Sequence, residues 1–178
     1  MDVLLEAAAQ VFEREGLSAT TNRIAERSGF SVGTLYQYFP NKQALLFALA
    51  ERHVSDVRVR FYALFERLRE EEPSWADTVR SMTTELVAAH RDRSRLHELM
   101  HDYAPRVPEG VAELKALRAT AVIELASHLR RCGLGGRDPE RTSALLFHTA
   151  DTQLHGALLG AEDAAEVLTR SLLALSEA

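Results

Sequence analysis

The sequence predicts an all-α chain, and three observations carry that prediction. Apolar residues recur at helical spacing along all 178 residues, and Ala, Leu, Glu and Arg are abundant. No stretch alternates apolar and polar residues between turn signals, as a half-buried strand does. The implied architecture is a three-helix head, a long helix leading out of it, and a helical body. The boundary falls so that 1–50 form the head and 51–178 the body.

The first helix is expected from Asp2 to Glu15, with Val3, Leu4, Ala7, Ala8, Val11 and Phe12 on one face and Gly16 as its stop. Thr21 caps a second, short helix whose buried positions are Ile24 and Ala25. Gly29 ends it, where a left-handed residue costs least. Ser31 caps the third helix at once, Leu35 and Phe39 share its buried face, and Pro40 with Asn41 stop it. Two short helices crossing over a glycine-containing turn make a helix-turn-helix, whose second helix lies in the DNA major groove.

After Asn41 the long helix begins, and Leu45, Leu46, Leu49, His53, Val57, Phe61, Leu64, Phe65 and Leu68 carry it to Glu71. Pro73 and Ser74 end it and cap the next, with its stripe of Trp75, Val79, Met82, Leu86 and Ala89. A short helix from Arg93 to Asp102 follows, and Pro105 and Pro108 bracket a loop. The next helix, Glu109 to Arg131, buries Leu114, Leu117, Ala121, Leu125 and Leu129. Beyond the glycines at 133, 135 and 136, Asp138 caps and Pro139 opens a helix reaching Gly160. The last begins near Glu162.

The net charge of -5 is low for a nucleic-acid binder, yet between Thr20 and Lys42 the cations Arg23, Arg27 and Lys42 face Glu26 alone. A local surplus this modest makes affinity lean on dimerisation and backbone amides as well as on basic side chains. Cys132 is the only cysteine, which excludes an intrachain disulfide. No apolar run approaches a membrane span and no signal peptide follows Met1, so a cytoplasmic protein is expected.

The run from Thr20 to Leu46 resembles the N-terminal domain of TetR-family transcriptional regulators. Thr21, Ile24, Ala25, Gly29, Ser31, Gly33, Thr34, Leu35, Tyr36, Tyr38, Phe39 and Lys42 all fit the family pattern at fixed spacing, Leu45 continues it, and Ala8, Phe12 and Gly16 fit upstream. The resemblance implies a ligand-responsive regulator that is more readily a repressor than an activator. It would bind palindromic double-stranded operator DNA as a homodimer and be released by a small-molecule effector, with no catalysis, cofactor or metal. Relatives carry a short basic segment ahead of the first helix; this chain begins inside that helix, so contacts from such an arm are not assigned.

Carried over by position, Asn22, Ser31, Val32, Gly33, Thr34 and Gln37 match places where relatives contact bases or adjacent backbone. Gln37 can bond an adenine edge twice and Val32 can meet a thymine methyl. Thr21, Tyr36, Tyr38 and Lys42 match positions that hold phosphates. Effector-binding candidates implied between head and dimer surface are Phe61, Phe65, Trp75, Met82, Leu86, His90, Met100, Tyr103, Leu117, Ala121 and Phe147, with His90, His148, Asp151 and Gln153 as polar groups. The last two helices offer surplus apolar area for a four-helix dimer interface, with Leu145, His148, Thr152, His155, Leu158, Leu159, Leu168 and Leu172 as its candidates.

A competing motif is H-E-x-x-H at His97, Glu98 and His101, the spacing of a zinc hydrolase. No clear third ligand follows it, and chance accounts for it beside the far longer match. A protein-binding module reusing the helix-turn-helix is the other rival.

Overall fold

The computed structural model describes residues 1–103 and 108–176, without the side chains of 103 and 108–111. Those residues are helical, with no strand among them: α1 (Asp2–Glu15), α2 (Thr21–Ser28), α3 (Val32–Tyr38), α4 (Lys42–Glu71), α5 (Trp75–Arg91), α6 (Ser94–Tyr103), α7 (Pro108–Arg131), α8 (Pro139–Gln153) and α9 (Ala164–Ser176). A 3-10 turn (Gly16–Ser18) follows α1, and a π-helical turn (Leu154–Leu158) follows α8. The chain forms two compact units, one of residues 1–55 with 93–110, the other of 56–92 with 111–178. Residues 104–107, in the expected loop after Asp102, lie outside the described residues.

In the first unit Leu4, Phe12, Ile24, Leu35 and Leu45 close a core that excludes water. The buried face of α1 runs through Leu5, Ala8, Ala9 and Phe12, which turns Val3 outward to 60% exposure, against the expectation that it packs. Helix α6 completes this core with Leu96, Leu99 and Met100. Polar contacts hold it there. The Glu13 carboxylate accepts from the Leu96 amide at 2.8 Å, Arg95 donates to the Arg14 carbonyl at 2.9 Å, and Arg93 pairs with Glu6. The Arg93 hydrogen bond lowers the Glu6 pKa against the opposing effect of burial.

The second unit packs α5, α7, α8 and α9 with the later turns of α4 around Phe65, Leu129, Leu146, Leu154 and Leu168. Arg58 pairs with Glu113 and Arg69 with Glu124, eleven residues further along in each helix, so α4 and α7 run in the same direction. Arg131, at the end of α7, donates to the Glu72 and Pro73 carbonyls at 2.9 and 2.5 Å and so satisfies acceptors left by the end of α4. Leu114 lies one turn ahead of buried Leu117 on the same face of α7. It is 54% exposed, a correction to the expected stripe. The helix expected to reach Gly160 instead widens into the π turn at Leu154.

Candidate nucleic-acid interface and body cluster

Helix α2 is capped by Thr20, whose hydroxyl accepts from the Arg23 amide at 3.3 Å. Sequence placed that cap on Thr21. The extended backbone at Thr20 makes it the N-cap, and Thr21 Oγ1 instead meets the Tyr36 hydroxyl at 3.1 Å. At the other end Gly29 adopts φ 74°, its amide bonds Glu26 O at 3.2 Å, and the Phe30 amide bonds Ala25 O at 3.1 Å. This is the left-handed stop that lets the chain turn and restart within three residues. Ser31 then caps α3, accepting from the Thr34 amide at 3.0 Å.

Helix α3 is anchored by Leu35, and Phe39 follows at its end, both buried, while Ser31, Gly33, Tyr36, Gln37 and Tyr38 are exposed. Val32 and Thr34 are half-buried at its edge; Asn22 on α2 is exposed and Thr21 half-buried. The Thr21–Tyr36 contact joins the start of α2 to the outer face of α3, so two candidate phosphate ligands are held side by side. Lys42 donates to the Leu17 carbonyl at 2.9 Å, and Arg23 pairs with Glu15 at 3.1 Å. Unlike Gly29, Gly33 lies inside a helix without a left-handed φ, so only its surroundings could call for glycine, and they are open. A Cβ there would meet only Ser31 Oγ, at 3.7 Å.

In the second unit Phe65, Trp75, Met82 and Ala121 share one core cluster, with Phe61, Leu86 and Phe147 packed against it. The Phe61 and Phe65 rings lie 5.8 Å apart, and the Arg118 guanidinium sits 5.7 Å from the Phe147 ring centre. Leu117 is also buried. Trp75 is pinned by its indole N–H, which donates to Ser176 Oγ at 2.7 Å. Met100 stands apart from these: it belongs to the first unit's core, because α6 packs there. The Tyr103 side chain lies outside the described residues.

The polar end of this cluster is His90, His155 and Asp151. The His90 ring stands edge-on to His155 with centroids 5.0 Å apart, and its Nδ1 lies 2.8 Å from the Leu86 carbonyl. His155 Nδ1 lies 3.0 Å from the Asp151 carbonyl and 3.2 Å from its carboxylate. Burial pushes His90 down to about 4. His155 moves the other way: burial opposes its charge, but the hydrogen bonds and charge of Asp151 outweigh that and raise its pKa. Sequence had set His155 on a dimer surface. The i to i+4 spacing of Asp151 and His155 was the available signal that they pair. His148 is exposed and Gln153 half-buried.

Of the dimer candidates, Leu145, His148 and Thr152 form an exposed stripe on α8, and Leu158 and Leu159 are half-buried. Leu168 and Leu172 are corrected. They are 0% and 7% exposed because α9 turns that face onto α5 and α8, so neither presents surface to a second copy. The H-E-x-x-H motif also separates: His97 is buried against His53 on α4, whereas Glu98 and His101 are exposed, His101 beside Asp102. No helix of the described residues is long and apolar enough to cross a membrane.

Comparison with known proteins fits this geometry. Residues 4–49 match the bacterial regulatory proteins of the tetR family, and residues 74–178 match the tetracyclin repressor-like C-terminal domain. The HTH-type transcriptional regulator TtgR of Pseudomonas putida is 30% identical over 172 residues, covering 88% of this chain and 79% of that protein. Among solved structures, FadR of Bacillus subtilis in complex with stearoyl-CoA aligns with a TM-score of 0.65 at 18% identity, over 98% of this chain and 96% of the other. NalD, the secondary repressor of the MexAB-OprM multidrug efflux pump in Pseudomonas aeruginosa, aligns with a TM-score of 0.65 at 22% identity, over 99% and 96%.

Proposed function

The chain belongs to the TetR family of transcriptional regulators, and from that premise we propose that it is a homodimeric repressor that reads a palindromic operator and is released by a small, largely apolar effector. The observation that carries the DNA half is the outer face of α3. Gly33, Tyr36, Gln37 and Tyr38 are exposed together beside Thr21, on a helix whose opposite side is anchored by Leu35. On this reading Gln37 and Val32 read base edges, Asn22, Ser31 and Thr34 flank them, and Thr21, Tyr36, Tyr38 and Lys42 hold phosphates.

Two such helices related by a two-fold axis sit about one DNA turn apart or a multiple of it, which makes the operator palindrome-like. The effector occupies the body between α4, α5, α7 and α8, where the aromatic and Met side chains of the cluster supply apolar contact and His90, His155 and Asp151 orient a polar group. That FadR, solved in complex with stearoyl-CoA, shares the fold supports a body that takes a small molecule. Helix α4 contributes turns to both units, so an effector that prefers one position of α4 changes head spacing, and it binds the free protein more tightly than the operator complex by the same factor by which it weakens operator binding.

Selection of bound duplexes from a random pool, with the purified full chain, tests the DNA half. Enrichment of inverted repeats is expected. A pool left unenriched, or enriched in single half-sites at equal affinity, removes the dimeric operator reading.

A further inference from the structure

The zinc-protease spacing on α6 leaves His97 unexplained, since Glu98 and His101 point to different surroundings. His97 is 6% exposed, on a turn whose neighbours Leu96, Leu99 and Met100 belong to the first unit's apolar core. Its Nε2 lies 3.3 Å from Nδ1 of His53 on α4, with ring centroids 4.1 Å apart and ring planes at 86°. Two nitrogens bound to one tetrahedral Zn2+ at about 2.05 Å stand about 3.3 Å apart, so the pair already has the bite of a metal chelate. Two imidazoles without a carboxylate between them suit Zn2+, Co2+, Ni2+ or Cu2+ and offer little to Mg2+ or Ca2+.

We propose that His53 Nδ1 and His97 Nε2 form a binding site for a divalent transition metal, Zn2+ in the reference case, with further donors or water completing the coordination. The two ligands come from different helices of one unit. Binding therefore clamps α6 to α4, the helix that starts four residues after the recognition helix ends. Fixing α4 in this way makes operator affinity depend on the metal. That consequence rests on the DNA-binding reading above; the site itself does not.

The test uses the full chain, stripped with a chelator and desalted. Co2+ titration is expected to give saturable visible absorption of the tetrahedral kind at one ion per chain, and Zn2+ is expected to bleach it. His53→Gln and His97→Gln should each weaken Zn2+ binding at least tenfold in competition with a chromogenic chelator. Glu98→Gln and His101→Gln should leave it unchanged. Circular dichroism checks that the variants keep their helicity. His53 is half-buried, so His53→Gln carries the test if His97→Gln fails to fold. Absence of saturable binding, or loss of it in His101→Gln as large as in His53→Gln, overturns the site. Operator affinity measured with and without Zn2+ should differ at least threefold in the parent and not in His53→Gln; equal affinities overturn the regulatory role. Failure to bind any operator in either condition would count against the DNA-binding reading, while the Co2+ spectrum still reads the site.

Discussion

Gly33 has no side chain, and nothing in its own protein requires that. A Cβ would meet only Ser31 Oγ at 3.7 Å, and glycine inside a helix costs about 0.5 to 1 kcal/mol relative to alanine. A residue that lowers stability with open space around it fits a partner whose backbone comes close. Gly33→Ala should therefore raise unfolding stability by up to about 1 kcal/mol and weaken operator binding by about tenfold. Thermal melts and fluorescence anisotropy read the two effects separately, and a variant that is stabilised with full affinity would mean that DNA does not approach there. Gln37 and Tyr36 divide differently. Gln37→Ala should relax preference at one operator position, while Tyr36→Phe, which loses its bond to Thr21, should weaken all duplexes alike, each by roughly 1 to 2 kcal/mol. Identical profiles for parent and Gln37→Ala across single-base variants of the operator would take Gln37 out of the reading set.

Helix by helix, most caps and stops were legible because each is a local device, although the α2 cap falls on Thr20 rather than Thr21 and α8 stops short of Gly160. Ser31, Ser74 and Asp138 accept from amides three residues on, and Gly29 turns left-handed where a helix must end. The partner of α6 was not legible. It joins the first unit through Glu13 to Leu96, Arg14 to Arg95 and Glu6 to Arg93, contacts between residues more than eighty apart that periodicity cannot see. The same limit explains Leu168 and Leu172. An apolar stripe on α9 reads alike whether it faces α5 or a second chain. The exposed stripe on α8 is the better dimer probe, and Leu145, half exposed, is its apolar member. Leu145→Glu should give a monomer by sedimentation with unchanged helicity and lost operator binding, since each charge meets its own copy across a two-fold axis. Leu168→Ala should instead cost roughly 2 to 5 kcal/mol of stability and leave the oligomer intact. A dimeric Leu145→Glu with parental affinity would put the interface on another face.

For the molecule as a whole, the buried histidines tie stability to pH. His90 titrates at about 4 when folded, and burial with Arg131 nearby lowers His128, whose Nε2 has no hydrogen-bond partner among the described residues. An unfolded histidine titrates near 6.5, so between those values the unfolded chain holds more protons than the native one. The stability these two contribute is complete above about pH 6.5 and is lost as pH falls toward 4, up to roughly 3 kcal/mol from His90 alone. His155 acts in the opposite sense. Its folded pKa is raised, so its contribution is present at low pH and disappears as pH rises through that value. The expected net result is a melting temperature that falls from pH 7.5 to 5, with a shallower slope in His90→Gln. Equal slopes in parent and variant would show that His90 is not the group responsible.

The hydrogen bond from Trp75 to Ser176 has an optical consequence. Trp75 is the chain's one tryptophan, and it joins the first turn of α5 to the last turn of α9, 101 residues away. Its emission therefore reports the seating of α9, and the arrival of any effector in the surrounding cluster, without any label. Fraying of α9 exposes the indole and shifts the emission to the red before the rest of the body unfolds, whereas a metal bound at His53 and His97 leaves the spectrum unchanged. A single intrinsic fluorophore can thus follow the body during titrations in which the added ligand acts on the head.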